Sequence, residues 1–452
     1  MADYAKYEPI LEMTKAAGFS RAEVFVCTSE AFSVSAHKGK AEDLRVERRS
    51  GVALRGLLGG QMGYAATEAE GEAAYAELVR AAAENAALLE SQDEQFLYDG
   101  DEKLAWVSAV DESLLAVSPE RKIALALEME RLCKAEDPRI ASGTTCEVGT
   151  MTSACLLLNT EGLRREFARG AAYAVADAVL ADGDRQYEEV AYRFSRKFED
   201  LDPAVIAREA VQMAAADVGS ASMPSGAMPV VFSPEAARTL LSTFAEVFSA
   251  EECQRGFSLL AGKEGEKIAA PCVTIWDDPS DGLGLAGRPF DGEGVPTQKK
   301  AVIQDGVLTT LLYNLKTAHK AGKTSTGNAS RPSHLSTVGT APTNFYIAPG
   351  GFAPEELYAK AGDGVRIDEL QGAHAGANPI SGDFSLSAKG MRIRGGKLAE
   401  PVTQITVSGN FYRMLESVQA VGKDLKFGVP GASAFGTPSL LVERLDIAGK
   451  DE

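Results

Sequence analysis

A change of period, repeated twice in the first half of the chain, narrows the possible folds more than any other feature. From Glu23 to Thr67 apolar and polar residues alternate: Val24 and Val26, then Phe32, Val34 and Ala36, stand between polar neighbours, and Leu57-Leu58-Gly59-Gly60 supplies a tight turn. Alternation sends every second side chain to one face of a strand, so this stretch reads as an antiparallel meander with one face buried. Helical period flanks it, over Tyr4 to Ala17, ending at Gly18, and over the Ala- and Glu-rich run Glu70 to Glu90. The pattern then recurs. A helix opened by Ser118-Pro119 precedes strands over Ile140 to Phe198 with a turn at Asn159 to Gly162. A further helix, opened by Asp202-Pro203, places Ala207, Ala210, Val211, Ala214 and Val218 on one face.

The chain is therefore of the α+β class. Its N-terminal part reads as two meander-plus-helix units, residues 1–110 and 111–219. The small, polar stretch from Gly219 to Pro229 contains two prolines, and residues 220–229 are assigned as a linker. Residues 230–452 form a C-terminal β-rich domain with curved antiparallel sheet. A helix begins at Ser233-Pro234, turns fall at Gln304-Asp305-Gly306 and Arg394-Gly395-Gly396, and short helices sit near Pro354 and Asn410.

Charge limits the partners. With 46 Lys+Arg against 64 Asp+Glu in 452 residues, the net charge of −18 repels polyanions. Without a basic patch there is no counterion release to drive binding, so neither nucleic acid nor an anionic membrane is an expected partner. Met-Ala-Asp-Tyr-Ala-Lys-Tyr lacks the apolar core of a secretory signal, and no run approaches the ~18 apolar residues of a membrane span. A cytoplasmic location is expected. Cys27, Cys133, Cys146, Cys155, Cys253 and Cys272 include no Cys-x-x-Cys pair and suit free thiols in a reducing compartment. A disulfide joining Cys146 and Cys155 across a hairpin is the alternative.

Individual motifs give little chemistry. Gly282-Leu-Gly284-Leu-Ala-Gly287 follows a strand predicted at Cys272 to Trp276 and matches a dinucleotide fingerprint as a string. Arg288-Pro289-Phe290-Asp291-Gly292 cannot continue the helix that fingerprint requires, so the stretch reads as a glycine-rich loop. Asp277, Asp278 and Asp281 lack calcium-loop spacing and read as a solvated acidic turn, and Glu251 and Glu252 as a solvated face. His37, His319, His334 and His374 lack the spacing of a helical zinc motif, although the last three all lie in the C-terminal half. No serine or cysteine stands in a nucleophile motif, so no catalytic residue and no metal ligand is assigned to this chain.

Several strings occur in a fixed order in the second half. They are Ser233-Pro-Glu-Ala-Ala-Arg, Arg255-Gly-Phe-Ser-Leu-Leu-Ala-Gly-Lys263, Asp277-Asp-Pro, Arg288-Pro-Phe-Asp-Gly-Glu-Gly-Val-Pro-Thr297 and Ser325-Thr-Gly-Asn-Ala329. Ser381-Gly-Asp-Phe-Ser385, Glu400-Pro-Val and Val421-Gly-Lys-Asp-Leu425 follow. Together with Gly51-Val-Ala-Leu-Arg55 and Gly63-Tyr64-Ala-Ala-Thr67, they resemble the TldD/PmbA family, also called modulator of DNA gyrase or peptidase family U62.

The resemblance implies a pair of related subunits that degrade or trim unstructured peptides in a closed chamber. TldD-type chains of the family carry zinc on His-Glu-x-x-x-His plus a later cysteine; PmbA (TldE) chains lack that site. Here Thr243, Phe244 and Phe248 stand where His, Glu and His would, on a helix predicted from Ser233 to Ser249, and Phe427 to Gly436 contains no cysteine. Ala237, Leu240, Leu241, Phe244, Val247 and Phe248 instead form one apolar stripe. The resemblance thus implies a PmbA/TldE-like, non-catalytic subunit that binds no cofactor itself, with zinc confined to a TldD-like partner. Assembly would be a heterodimer with that partner or a homodimer. Asn328, Arg331 and His334, with Ser381, Gly382, Asp383, Phe384 and Ser385, are the candidates to line a peptide groove, against a reading in which these glycines serve turns alone. An autonomous homodimeric peptidase and a protein-binding regulator of gyrase are the alternative functions.

Overall fold

The structure is a computed structural model that describes residues 4–90, 93–100, 102–106, 110–280 and 282–450. It forms two compact units. One comprises residues 1–215 together with 288–297 and 314–339; the other comprises 216–287, 298–313 and 340–452.

In the first unit both meanders are present: β1 (Arg21–His37), β2 (Lys40–Leu58) and β3 (Gln61–Thr67), then β4 (Thr145–Asn159), β5 (Arg164–Asp182) and β6 (Arg185–Ser195). They do not form separate sheets. β1 pairs along its length with β4, from Glu23 opposite Asn159 to His37 opposite Thr145, and the result is one antiparallel sheet in the order β3-β2-β1-β4-β5-β6. The predicted turns hold, with Gly59 and Gly60 at positive φ between β2 and β3 and Gly162 between β4 and β5.

Period two then dictates the two faces. Even-numbered residues Ala22, Val24, Val26, Val52 and Leu54 pack under Ile10 and Leu11 of α1 (Glu8–Ala16) and Leu78, Val79 and Ala82 of α2 (Glu72–Ala87). Farther along the same strands, Val34, Ala36, Val148, Ala172 and Ala174 pack under Ala126, Met129 and Cys133 of α3 (Pro119–Glu136) and Ile206, Ala207, Ala210 and Val211 of α4 (Pro203–Ala216). Ser118 caps α3, its side chain accepting from the Arg121 amide, as the Ser-Pro opening predicts. On the opposite face Phe25, Ala53 and Leu157 are covered by Phe290 and Val295 from the inserted segment 288–297.

The disulfide alternative is ruled out here, and the expectation of free thiols holds. Cys146 and Cys155 occupy opposite ends of β4, and at ~3.3 Å per strand residue they are tens of ångströms apart. All six cysteines are free thiols.

The second unit is β-rich. Five of its strands curl into a ring: β7 (Gly226–Phe232), β8 (Gly364–Gln371), β9 (Asp383–Arg394), β10 (Lys397–Asn410) and β11 (Leu440–Ala448). Neighbours run β10-β9-β8-β7-β11, and β11 pairs again with β10 through Val407 opposite Ile447, which closes the circuit. β7 begins within the segment assigned as linker. A second sheet holds Ile275–Asp278, Lys300–Gln304, Asn344–Ile347 and Ala434–Thr437 among its strands.

One further expectation is overturned in this sheet. Asp277 and Asp278 are not a solvated turn but strand residues, 0% and 2% exposed. Asp277 accepts from Lys300 Nζ at 2.8 Å and from the Thr343 amide at 2.7 Å and hydroxyl at 2.6 Å. Asp278 pairs with Lys299 Nζ at 2.8 Å. These cations arrive from a separate strand region, which is why local charge density misled. Asp281 lies outside the described residues. The loop containing Gly282, Gly284 and Gly287 is irregular as predicted; Gly282 takes positive φ, and the other two glycines serve close packing. A Cβ on Gly287 would stand 2.6 Å from the Ser280 carbonyl oxygen, and one on Gly284 would stand 2.5 Å from the Phe427 ring.

The helix predicted from Ser233 to Ser249 is shorter. It runs Pro234–Thr243, capped by Ser233, and is followed by a 3-10 turn over Ala245–Phe248. Thr239 and Thr243 turn their hydroxyls back to the carbonyls of Glu235 and Thr239, at 3.1 and 2.7 Å, a habit that loosens a helix near its end.

Candidate functional site

In the second unit, the place where the resemblance expects metal ligands is aromatic. Phe244 and Phe248 are both 0% exposed. Phe244 stacks on Phe411 with ring centroids 4.6 Å apart and planes 13° apart, and it meets Phe384 at 6.3 Å. Phe248 packs on Phe345 at 5.5 Å. Thr243 spends its hydroxyl on the Thr239 carbonyl. None of these groups offers a zinc ligand, and phenyl rings cannot activate water, so the residues at this place do not fit the ion. Among the described residues no three His, Cys, Asp or Glu side chains converge as a metal site.

Beside this aromatic floor lies the Ser381–Ser385 string. Gly382 takes φ of 81°, and its carbonyl accepts from the Phe411 amide at 2.7 Å, so the glycine turns the chain into β9. From there the strand alternates, with Asp383 and Ser385 exposed and Phe384 buried against Phe244. Asn410 Nδ2 donates to the Ser381 carbonyl and to Asp383 Oδ1, both at 2.8 Å. The bond from Asn410, and next the Ser381 side chain, hold the Asp383 carboxyl below its ordinary value. The backbone here is already paired. Phe384 bridges Ala377, and the Asp383 carbonyl accepts from the Asn378 amide at 2.8 Å. What this string presents to a ligand is therefore the side chains of Ser381, Asp383 and Ser385 rather than an open ladder.

The other groove candidates belong to the first unit. Asn328 is fully buried, and its Oδ1 accepts from Thr326 Oγ1 at 2.7 Å. His334 places Nε2 3.6 Å from Glu68 Oε1, and its ring fills the space beside Gly51, where a Cβ would stand 2.2 Å from the ring. Arg331 stands at one end of a buried charge network that motif reading did not find. Its Nη1 donates to Glu23 Oε1 at 2.8 Å. Arg55 grips the same carboxylate with Nε at 2.8 Å and Nη2 at 3.2 Å, and reaches Glu293 Oε1 with Nη1 at 3.1 Å. Glu293 Oε2 accepts from the Leu315 amide at 2.8 Å.

The electrostatics follow from burial. Burial opposes the charge on Arg55, yet Glu23 and Glu293 hold it above its ordinary value. Arg331 falls below its ordinary value because burial outweighs its single carboxylate partner. Asp291 is pushed up to about 7, by burial first and by Glu293 next, even though the amides of Ala329, Glu293 and Val295 donate to it. The network ties β1 and β2 to the two inserted segments. Its signal in sequence is faint: Glu23 and Arg55 are charges at positions where alternation calls for strand residues, and nothing local names their partners.

The remaining histidines are dispersed. His319 Nε2 pairs with Glu94 at 3.2 Å and its ring packs on Phe96; His37 Nε2 contacts the Ser142 carbonyl oxygen at 2.8 Å. His374 lies in a one-turn helix, Ala373–Gly376, of the second unit.

The first unit is thus one six-stranded meander sheet, and the second holds a closed β ring with an aromatic cluster. Residues 22–86, 112–217 and 225–449 match, in turn, domain 1, the central domain and the C-terminal domain of the PmbA/TldA metallopeptidases. The chain belongs to the TldD/PmbA family. It is 27% identical to the metalloprotease PmbA of Escherichia coli O157:H7, over 95% of this chain and 92% of that one. A metalloprotease of Methanothermobacter thermautotrophicus is 29% identical over 90% and 89%. Among solved structures, a candidate modulator of a DNA gyrase from Thermotoga maritima superimposes with a TM-score of 0.89 at 31% identity, over 99% of this chain and 100% of that one. TldE from Thermococcus kodakarensis shares the fold, with a TM-score of 0.89 at 24% identity over 98% and 100%.

Proposed function

We propose that this chain is the PmbA/TldE-like subunit of a cytoplasmic, TldD/TldE-type metalloprotease acting on unstructured peptides, and that it contributes no zinc site of its own. The observation that carries the reading is the burial of Phe244 and Phe248 in an aromatic core, at the positions placed against the Glu and the second His of the TldD-type motif. A zinc-bearing TldD-like chain is then the required partner, in a heterodimer; a homodimer is what the chain forms alone. Peptide contact falls to the exposed side chains of Asp383 and Ser385 and the half-buried Ser381 in the second unit, which leave substrate sequence weakly constrained, with Arg331 and His334 supporting the first unit from within. The test is hydrolysis of an unstructured peptide by the pure chain, alone and mixed with a TldD-type partner, each with and without chelator. Hydrolysis only in the mixture, abolished by chelator, supports the reading; chelator-sensitive hydrolysis by the chain alone overturns it.

A second reading rests on the description of the Thermotoga structure as a candidate modulator of a DNA gyrase. At a net charge of −18 such a role would proceed through protein contact, and gyrase supercoiling assayed with and without the chain tests it.

A further inference from the structure

Two pairs of cysteines stand side by side in the first unit, and their surroundings are opposite. Cys27 on β1 lies directly across from Cys155 on β4, the two strands that join the meanders. Directly opposed antiparallel residues have Cα atoms about 4.5–5.5 Å apart, which falls within the span a disulfide bridges. Both residues are partly exposed. The second pair, Cys133 and Cys146, is 0% and 1% exposed among Val34, Ala36, Ala126 and Met129.

Charge separates the pairs further. Glu23, Phe25 and Cys27 follow one another on one face of β1, and Arg331 lies along that row. It bonds to Glu23 and sets its guanidinium 4.2 Å over the Phe25 ring, while its Nε and Nη2 are buried without a hydrogen-bond partner among the described residues. Arg169 arrives from β5, with Nε 3.2 Å from the hydroxyl of Ser153, two residues before Cys155 on the same face. Hydrogen bonding from Cys27 draws the Cys155 thiol below its ordinary value against the effect of burial, helped by Arg169, Arg288 and Arg331; the same bond, with burial, pushes Cys27 up. The inner pair divides in the same way, Cys133 drawn down by its bond from Cys146 and Cys146 pushed up by that bond and by burial, but it has no such cations, and Glu130 opposes ionisation there.

We propose that Cys27 and Cys155 form a thiol–disulfide exchange site for low-molecular-weight disulfides, with Cys155 as the attacking thiolate and Cys27 as the resolving thiol. Cys155 Sγ attacks one sulfur of the small disulfide, whose S–S bond breaks to release one thiolate that takes up a proton. Cys27 then loses its proton and attacks Cys155 Sγ, displacing the second small thiolate. Two protein thiols become one disulfide, and one small disulfide becomes two thiols. The new bond staples β1 to β4 across the junction of the meanders.

The test uses the full-length reduced chain, oxidised glutathione as the probe, alkylation of the remaining thiols, and peptide mapping by mass spectrometry. The expected product joins Cys27 to Cys155 with the loss of two hydrogens in mass, while Cys133 and Cys146 are alkylated only after unfolding. Cys155 is expected to react about tenfold faster than the exposed Cys272, because the thiolate is the reactive species. Cys27→Ser should stop the reaction at a glutathione adduct on Cys155. Modification confined to Cys272, or a crosslink involving Cys133 and Cys146 in the folded chain, overturns the proposal.

Discussion

Glu23 and Arg331 stand 308 residues apart in sequence and meet at 2.8 Å, with both side chains wholly withdrawn from solvent. Removing one member of a buried pair leaves the other charge uncompensated, which costs about 3–5 kcal/mol. Arg331→Met is therefore expected to lower stability by that amount in chemical denaturation. A loss below about 1 kcal/mol, the range of exposed pairs, would show that Arg55 alone satisfies Glu23.

Asp291 gives the same unit a pH dependence of unusual sign. Its carboxyl is held up at about 7, well above the ordinary carboxylate value, by burial and by Glu293. A group raised on folding stabilises fully below its unfolded pKa, and that contribution is lost as pH rises through the folded value. The window thus runs from about 4 to about 7, with stability falling upward across it. Asp291→Asn should flatten this slope when unfolding is measured at several pH values, whatever the variant does to absolute stability. An unchanged slope would remove Asp291 as its source.

Phe244 tests the aromatic floor. Its ring is fully buried and stacked on Phe411, so Phe244→Ala is expected to cost about 3–5 kcal/mol, and Phe244→Leu distinctly less, in the unfolding free energy. A small effect of the alanine variant would mean that the ring is not part of the core.

Asp383 tests peptide contact without disturbing the core. It is exposed, so Asp383→Ala should leave the melting temperature near that of the parent while raising KM for peptide hydrolysis in the mixed assay. Unaltered KM, with unaltered kcat, would take Asp383 out of the groove.

Gly63 marks a close approach between strand and helix. A Cβ there would stand 2.0 Å from the Ala82 backbone carbonyl oxygen, which belongs to α2 and cannot rotate away. Gly63→Ala should therefore destabilise by about 1–3 kcal/mol, read by thermal or chemical unfolding.

Much of this fold is legible in the chain because its signals are local. Ser118 and Ser233 announce helix starts through cap chemistry that involves only the next turn, and Gly59, Gly60 and Gly162 announce turns because few other residues accept positive φ. The pairing of β1 with β4 was not legible, since two meanders with one apolar face each fit equally well as separate sheets. Asp277 and Asp278 misled for a related reason: a buried carboxylate and a solvated one look alike until the lysine that neutralises the buried one is found on another strand. At the candidate site, the apolar character of Phe244 and Phe248 was readable residue by residue, and both rings are buried. The Glu23–Arg55–Glu293–Arg331 network was not, because each member is an isolated charge whose partner lies far along the chain.

The closed ring also bears on how the protein comes to be made. Its first strand, Gly226–Phe232, is flanked by Gly364–Gln371 on one side and by Leu440–Ala448 on the other, and Leu440–Ala448 in turn seals against Lys397–Asn410. During vectorial synthesis the early strand emerges from the ribosome more than two hundred residues before its last neighbour exists. One edge of the nascent sheet therefore stays unsatisfied until Leu440–Ala448 has cleared the exit tunnel, and this unit completes its hydrogen bonding only after translation has passed that strand.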